Sequence, residues 1–123
     1  MKSEPLQKLT LMEILMGALL FAPTPLFSDQ DIYRIFKKSN LSERFNIEKD
    51  HAGNLGSKYI FQALSFCEIG HLLSIRSFAN GHTFYRRNDD MLSSVRRELE
   101  ERKILPKYQA ALQQFANLLK IEN

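Results

Sequence analysis

Apolar and polar positions alternate along this chain in a pattern that divides it into segments of different period. From Leu55 to Ile69 the apolar residues Leu55, Ile60, Ala63, Leu64 and Cys67 recur near the 3.6-residue helical period. Gly70 follows, the residue type that most often ends a helix in the left-handed conformation. Leu72 to Phe78 is apolar and strand-compatible, and Asn80-Gly81 is the strongest short-range signal for a hairpin turn. His82 to Arg87 returns with the strand formers Thr83, Phe84 and Tyr85. The stretch from Asn54 to Asn88 therefore reads as a helix feeding directly into a β-hairpin, and the rest of the chain is organised around it.

Upstream, Pro5 suits the first turn of a helix, and Leu6, Leu9, Ile14, Leu15, Ala18, Leu19 and Phe21 cover more than one face. This predicts a central helix from Pro5 to Phe21, stopped by Pro23-Thr24-Pro25. Leu26-Phe27 can add a short strand beside the hairpin. Ser28 is placed to cap the Asp31 amide of a helix whose first turn holds Asp29 and Asp31 and whose last turn holds Lys37 and Lys38. Ile32, Ile35 and Phe36 form its inward stripe. Asn40 to Gly53 is mostly polar, with Leu41, Phe45 and Ile47 apolar, and reads as one short helix and a loop.

Downstream, Asp89 or Asp90 can cap a helix from Met91 to Lys103 with Leu92, Val95 and Leu99 inward. Pro106 breaks the path. Tyr108, Leu112, Phe115 and Leu119, spaced 4, 3 and 4, form a heptad seam on a last helix from Lys107 to Lys120. The fold class expected is mainly α with a small β-hairpin, an α+β domain of winged helix-turn-helix layout with a C-terminal helical extension. A single domain of 123 residues is expected, with residues 5–88 as its winged-helix core and 89–123 as added helices.

Charge and composition narrow the function classes. Net charge is +3 with an isoelectric point near 9.1, a mildly basic balance that permits a phosphate partner. The lone Cys67 excludes an internal disulfide and fits a reducing compartment. The apolar run from Ile14 to Ala22 is too short to span a bilayer, so a cytoplasmic protein without a membrane partner is expected. The acidic residues sit in helix-end and solvated-helix settings, with no paired constellation for acid–base chemistry and no phosphate-cradling glycine loop. Cys67 and His71 are four apart, but Gly70 intervenes and no second ligand pair is present. The expectation is no enzyme, no metal and no cofactor.

What remains is recognition. With Ile60, Ala63, Leu64 and Cys67 turned inward, Ser57, Lys58, Tyr59 and Gln62 face out near the helix start, where they could enter a major groove. Arg76, His82, Arg86 and Arg87 on the hairpin could reach the DNA backbone. An exposed Phe66 would be unusual, so it is expected to pack against the 40–53 segment or the C-terminal helices. The function expected is a sequence-specific, double-stranded DNA-binding transcriptional regulator. It would be a homodimer joined through Leu92, Val95, Leu99, Tyr108, Leu112, Phe115 and Leu119. The alternative for the seam is that it packs back on the opening helix. The alternative for the function is a winged-helix module that binds a protein partner, and a weaker one is binding of single strands or RNA, with aromatic side chains as stacking platforms.

The same stretch resembles the winged-helix half of the ferric uptake regulator family. Ile60-Phe61-Gln62-Ala63-Leu64 is similar to that family's VYRTL run, Gly70-His71-Leu72-Leu73 to its helix end, and Phe78, Gly81 and Tyr85 to its wing. Leu9-Thr10 and Ile14-Leu15 resemble its first helix, and Ile32-Tyr33 its second. The resemblance implies that Tyr59, Phe61 and Gln62 lie on the DNA-reading helix. Gln62 stands where the family carries arginine, and the His- and Cys-rich metal-sensing half has no counterpart here, so no metal response is implied.

Overall fold

In the computed structural model, which describes residues 4–120, helices pack with a small antiparallel sheet in an α+β arrangement. A short 3-10 helix, Pro5–Lys8, leads into α1, Leu11–Phe21. The single helix expected from Pro5 to Phe21 is thus two. Leu9 is extended, and Thr10 starts the second with a reciprocal cap. The Thr10 hydroxyl accepts from the Glu13 amide at 3.2 Å, and the Glu13 carboxylate accepts from the Thr10 amide at 2.8 Å. Leu6 and Leu9 are buried all the same.

Strand β1, Leu26–Ser28, precedes α2, Asp29–Lys38, which opens with a second capping box between Ser28 and Asp31. Ile32, Ile35 and Phe36 are buried as expected, and Tyr33 joins them. The 40–53 segment contains turns rather than a short helix. Leu41 and Phe45 are pinned in the core, and Glu48–Lys49 (β2) pairs with Leu55–Gly56 (β3) in a two-stranded ribbon. Leu55 and Gly56 therefore lie outside the next helix, α3, which runs Lys58–Ile69 from its N-cap Ser57.

Gly70 is not the left-handed residue at the end of α3. Its φ is −80°, and His71 carries the positive φ of 64°. The amides of His71 and Leu72 bond back to the carbonyls of Glu68 and Cys67, a Schellman ending with histidine at the position that usually holds glycine. Then β4, Leu73–Ala79, and β5, His82–Arg87, form the expected hairpin. Asn80 and Gly81 have φ of 55° and 78°, the paired positive values of a type I′ turn. The sheet order is β1-β5-β4, with Phe27 opposite Tyr85 on its inner face, their rings 6.1 Å apart.

Asn88, not Asp89 or Asp90, caps the 3-10 turn Asp89–Met91, which continues into α4, Leu92–Glu101; Lys103 lies beyond it with φ 61°. The last helix, α5, is Gln109–Asn117. Val95, Leu99, Leu112, Phe115 and Leu119 belong to the same buried cluster as α1 and α2, Tyr108 packs half-buried against it, and Leu92 is half-buried. Phe36 on α2 meets Phe115 edge-to-face at 5.0 Å and Phe45 at 5.6 Å. Gly17 lets α1 close on α5: a Cβ there would stand 2.6 Å from Leu112 Cδ2. The seam expected to join two copies is therefore filled by the chain's own α1 and α2. Its buried side chains Val95, Leu99, Leu112, Phe115 and Leu119 are unavailable to a partner, and the C-terminal helices complete the core instead of standing apart from it.

Candidate nucleic-acid interface

Helix α3 forms where it does because Ser57 fixes its start. The Ser57 hydroxyl accepts from the Ile60 amide at 3.2 Å and donates to the Phe45 carbonyl at 2.5 Å, and the residue is only 6% exposed. Both capacities of the hydroxyl are satisfied inside the protein, so Ser57 is a cap and not a surface contact as expected. Lys58, Tyr59 and Gln62 are exposed on the outer face. Ile60, Ala63, Leu64 and Cys67 face the core, and burial pushes the Cys67 thiol up to about 12. The Cys67 thiol is thus an inert core group, while His71 is exposed beyond the helix end.

On the hairpin the four expected contacts divide in two. Arg87 is turned inward: Nη1 donates to the carbonyls of Leu19 and Ala22, each at 2.9 Å, and Nε donates to Asp89 at 2.7 Å. It closes the C-terminal end of α1 and ties β5 to it, as arginine can at unsatisfied helix carbonyls. His82 is turned toward α2. Its Nδ1 lies 3.9 Å from Asp29 Oδ1 and makes no hydrogen bond among the described residues. Asp29 is itself enclosed, and burial pushes its carboxyl above the usual value against the opposing pull of the Gln30 and Thr83 amides and of His82. Arg76 and Arg86 are exposed. Of the expected set, Lys58, Tyr59, Gln62, Arg76 and Arg86 are solvent-facing, Ser57 and Arg87 are engaged within the protein, and His82 is half-buried beside Asp29.

The outer surface of α3 also carries side chains that the expected set does not include. Phe61, Phe66 and Ile69 are 52%, 64% and 72% exposed. Phe66 therefore does not pack against the 40–53 segment or the C-terminal helices. The signal was present as apolar residues off the buried stripe of α3, but a periodicity argument assigns such residues no partner. Beside the start of α3, a shallow cleft against the β2–β3 ribbon is lined by Glu48, Lys49, Asp50, Lys58 and Tyr59, a mixed-charge surface. Among the described residues no three His, Cys, Asp or Glu side chains gather as metal ligands, and no helix is long and apolar enough to cross a membrane.

Compared with protein-family models, with curated proteins and with solved structures, the chain matches none of them. The functional reading therefore rests on the geometry of α3 and the hairpin alone.

Proposed function

We propose that this protein is a winged helix-turn-helix protein that binds double-stranded DNA as a sequence-specific regulator. Helix α3 would lie in the major groove and the β4–β5 hairpin would act as the wing. The observation that carries this reading is the joining of two surfaces. The exposed Lys58–Tyr59–Gln62 face of α3 leads into a ribbon that has Arg76 and Arg86 exposed and no acidic residue between Gly70 and Arg87. The sheet order, with β5 between β1 and β4 and α3 entering β4 directly, supports the same reading. Gln62 is suited to the N6 and N7 edge of adenine, Lys58 to phosphate or guanine, and the two arginines to backbone phosphates.

The test is titration of a mixed-sequence duplex at several salt concentrations. Replacing Lys58, Arg76 and Arg86 together by alanine is expected to weaken all sequences alike and to flatten the salt slope by roughly one unit per lost phosphate contact. Gln62→Ala should relax preference at one base pair, at a cost on the order of 1–3 kcal/mol. Ser57→Ala serves as the control, since it should lower stability by about 1 kcal/mol as a lost cap while the folded protein binds DNA as before. A triple variant that binds duplex as tightly as the parent would overturn the assignment.

A second reading is favoured by Phe61, Phe66 and Ile69, because exposed aromatic and aliphatic side chains clustered on one helix are characteristic of protein interfaces. A chain that shows no salt-dependent binding to duplex, yet loses a protein partner on Phe66→Ser, would belong to that class.

A further inference from the structure

The β4–β5 pairing contains one irregularity, and it changes where an aromatic ring points. Ile75 pairs with Tyr85, but the next pair is Ser77 with Phe84, leaving Arg76 as an extra residue in β4. In a regular strand Phe78 would fall on the opposite face from Ile75. The bulge reverses that alternation: Phe78 pairs with Thr83, two residues from the core residue Tyr85 along β5, and so projects on the core side of the ribbon. That is the face of the sheet against which α3 packs, since Leu73 and Tyr85 of the sheet share one buried cluster with Ile60, Leu64 and Cys67 of α3. At this level the ribbon has run past the core, and Phe78 is 72% exposed.

We propose that Phe78 is a wedge that inserts between adjacent base pairs from the minor groove and kinks the duplex held by α3. This inference rests on the DNA-binding reading above and adds that the DNA is deformed. The hairpin as a whole is too broad to lie within a minor groove about 6 Å wide. A single ring is not, and the residues beyond it, Ala79, Asn80 and Gly81, are small enough to let it approach the base steps. Large apolar side chains used in this way unstack one step and bend the duplex away from the wedge. The charge of the ribbon suits a polyanion: its exposed charged residues are both basic, Arg76 at the bulge itself, two residues from Phe78, and Arg86 nearer the base on the opposite face. An exposed phenylalanine on an edge strand is otherwise an aggregation liability, which a base step would relieve by stacking.

The experiment uses a mixed-sequence duplex of roughly 40 base pairs, well below the ~150-bp persistence length, with a fluorophore at each end to report end-to-end distance. The full chain is compared with Phe78→Ala, Phe78→Leu and Arg76→Ala, each first shown to unfold at the same denaturant midpoint as the parent. The expected result is that the parent shortens the end-to-end distance. Phe78→Ala should bind about tenfold more weakly, the scale of one lost base–aromatic stack, and leave the duplex straight with the salt slope unchanged. Phe78→Leu, which keeps an apolar wedge, should retain most of the bend, and Arg76→Ala should reduce the salt slope instead. A parent that binds without bending, or a Phe78→Ala variant that bends the duplex equally, overturns the wedge and leaves the DNA-binding reading standing. A parent that does not bind duplex at all overturns both.

Discussion

Tyr33 and Tyr85 are both buried within the influence of Asp29, and that placement sets how the fold responds to alkali. Burial pushes both phenols from 10.0 to about 12, and the Asp29 carboxylate adds to the effect. Each folded-state value lies above the unfolded one, so each phenol contributes stability that is complete below pH 10. That contribution is lost as pH rises through 12. The urea midpoint is therefore expected to begin falling near pH 10. Ionisation of these two residues, followed by tyrosinate absorbance, should accompany loss of structure. Tyr85→Phe, which removes one of the two phenols, should make the decline shallower. Ionisation of both near pH 10 with the fold intact would contradict the buried placement. Single residues also decide what α3 and the hairpin can bind. Arg87 looks like a fourth basic contact in the sequence, but two helix carbonyls and Asp89 occupy its guanidinium, and nothing local in the sequence marks Leu19 and Ala22 as its partners.

At the scale of elements, the features legible in the sequence were those encoded by neighbours in the chain. Ser28 with Asp31, and Asn80 with Gly81, act within four residues, so the start of α2 and the hairpin turn fell where pattern and turn chemistry placed them. The Thr10–Glu13 box is equally local, and it is what divides the first helical stretch in two. Helix endings were harder because this chain builds them without glycine. Asn40, His71 and Lys103 each take positive φ after α2, α3 and α4, and in each case the following amide reaches back to a carbonyl five residues earlier. Gly70 drew the assignment by composition, yet its neighbour adopts the left-handed conformation. The β-branch-free His71 and Lys103 hold it at a steric cost that packing of Leu72 and Ile104 against the structure offsets. Lys103 is exposed, so relieving that cost should not disturb packing. Lys103→Gly is expected to stabilise the protein by about 1 kcal/mol in urea unfolding, and Lys103→Val to destabilise it. Equal midpoints for all three would mean that the turn after α4 is not left-handed. The Arg76 bulge was illegible for another reason: register is decided by pairing across the hairpin, not by any residue within β4.

At the scale of the whole molecule, the C-terminal helices change the meaning of the heptad seam. Spacing alone shows that Leu112, Phe115 and Leu119 share a face, and it cannot show whether that face meets a second chain or the first helix of the same one. Gly17 decides the matter, because its missing side chain is the space that Leu112 occupies, and Phe115 reaches through to Phe36 on α2. The hairpin and α3 are therefore held by a core to which both ends of the chain contribute, and α5 is a structural necessity for the candidate interface. A double-mutant cycle tests this contact. Leu112→Ala should cost about 2–5 kcal/mol as a cavity mutation. Gly17→Ala adds a Cβ within 2.7 Å of both Leu112 methyl carbons, and those methyls are fully buried. Its overpacking cost of about 1–3 kcal/mol should outweigh the roughly 1 kcal/mol that alanine gains over glycine within a helix. In the Leu112→Ala background the obstruction is gone, so the same Gly17→Ala change should become stabilising. The sign reversal in urea unfolding is the expected outcome. An effect of Gly17→Ala that is the same in both backgrounds would mean that α1 and α5 do not meet here, and the seam would again be free for a second copy of the chain.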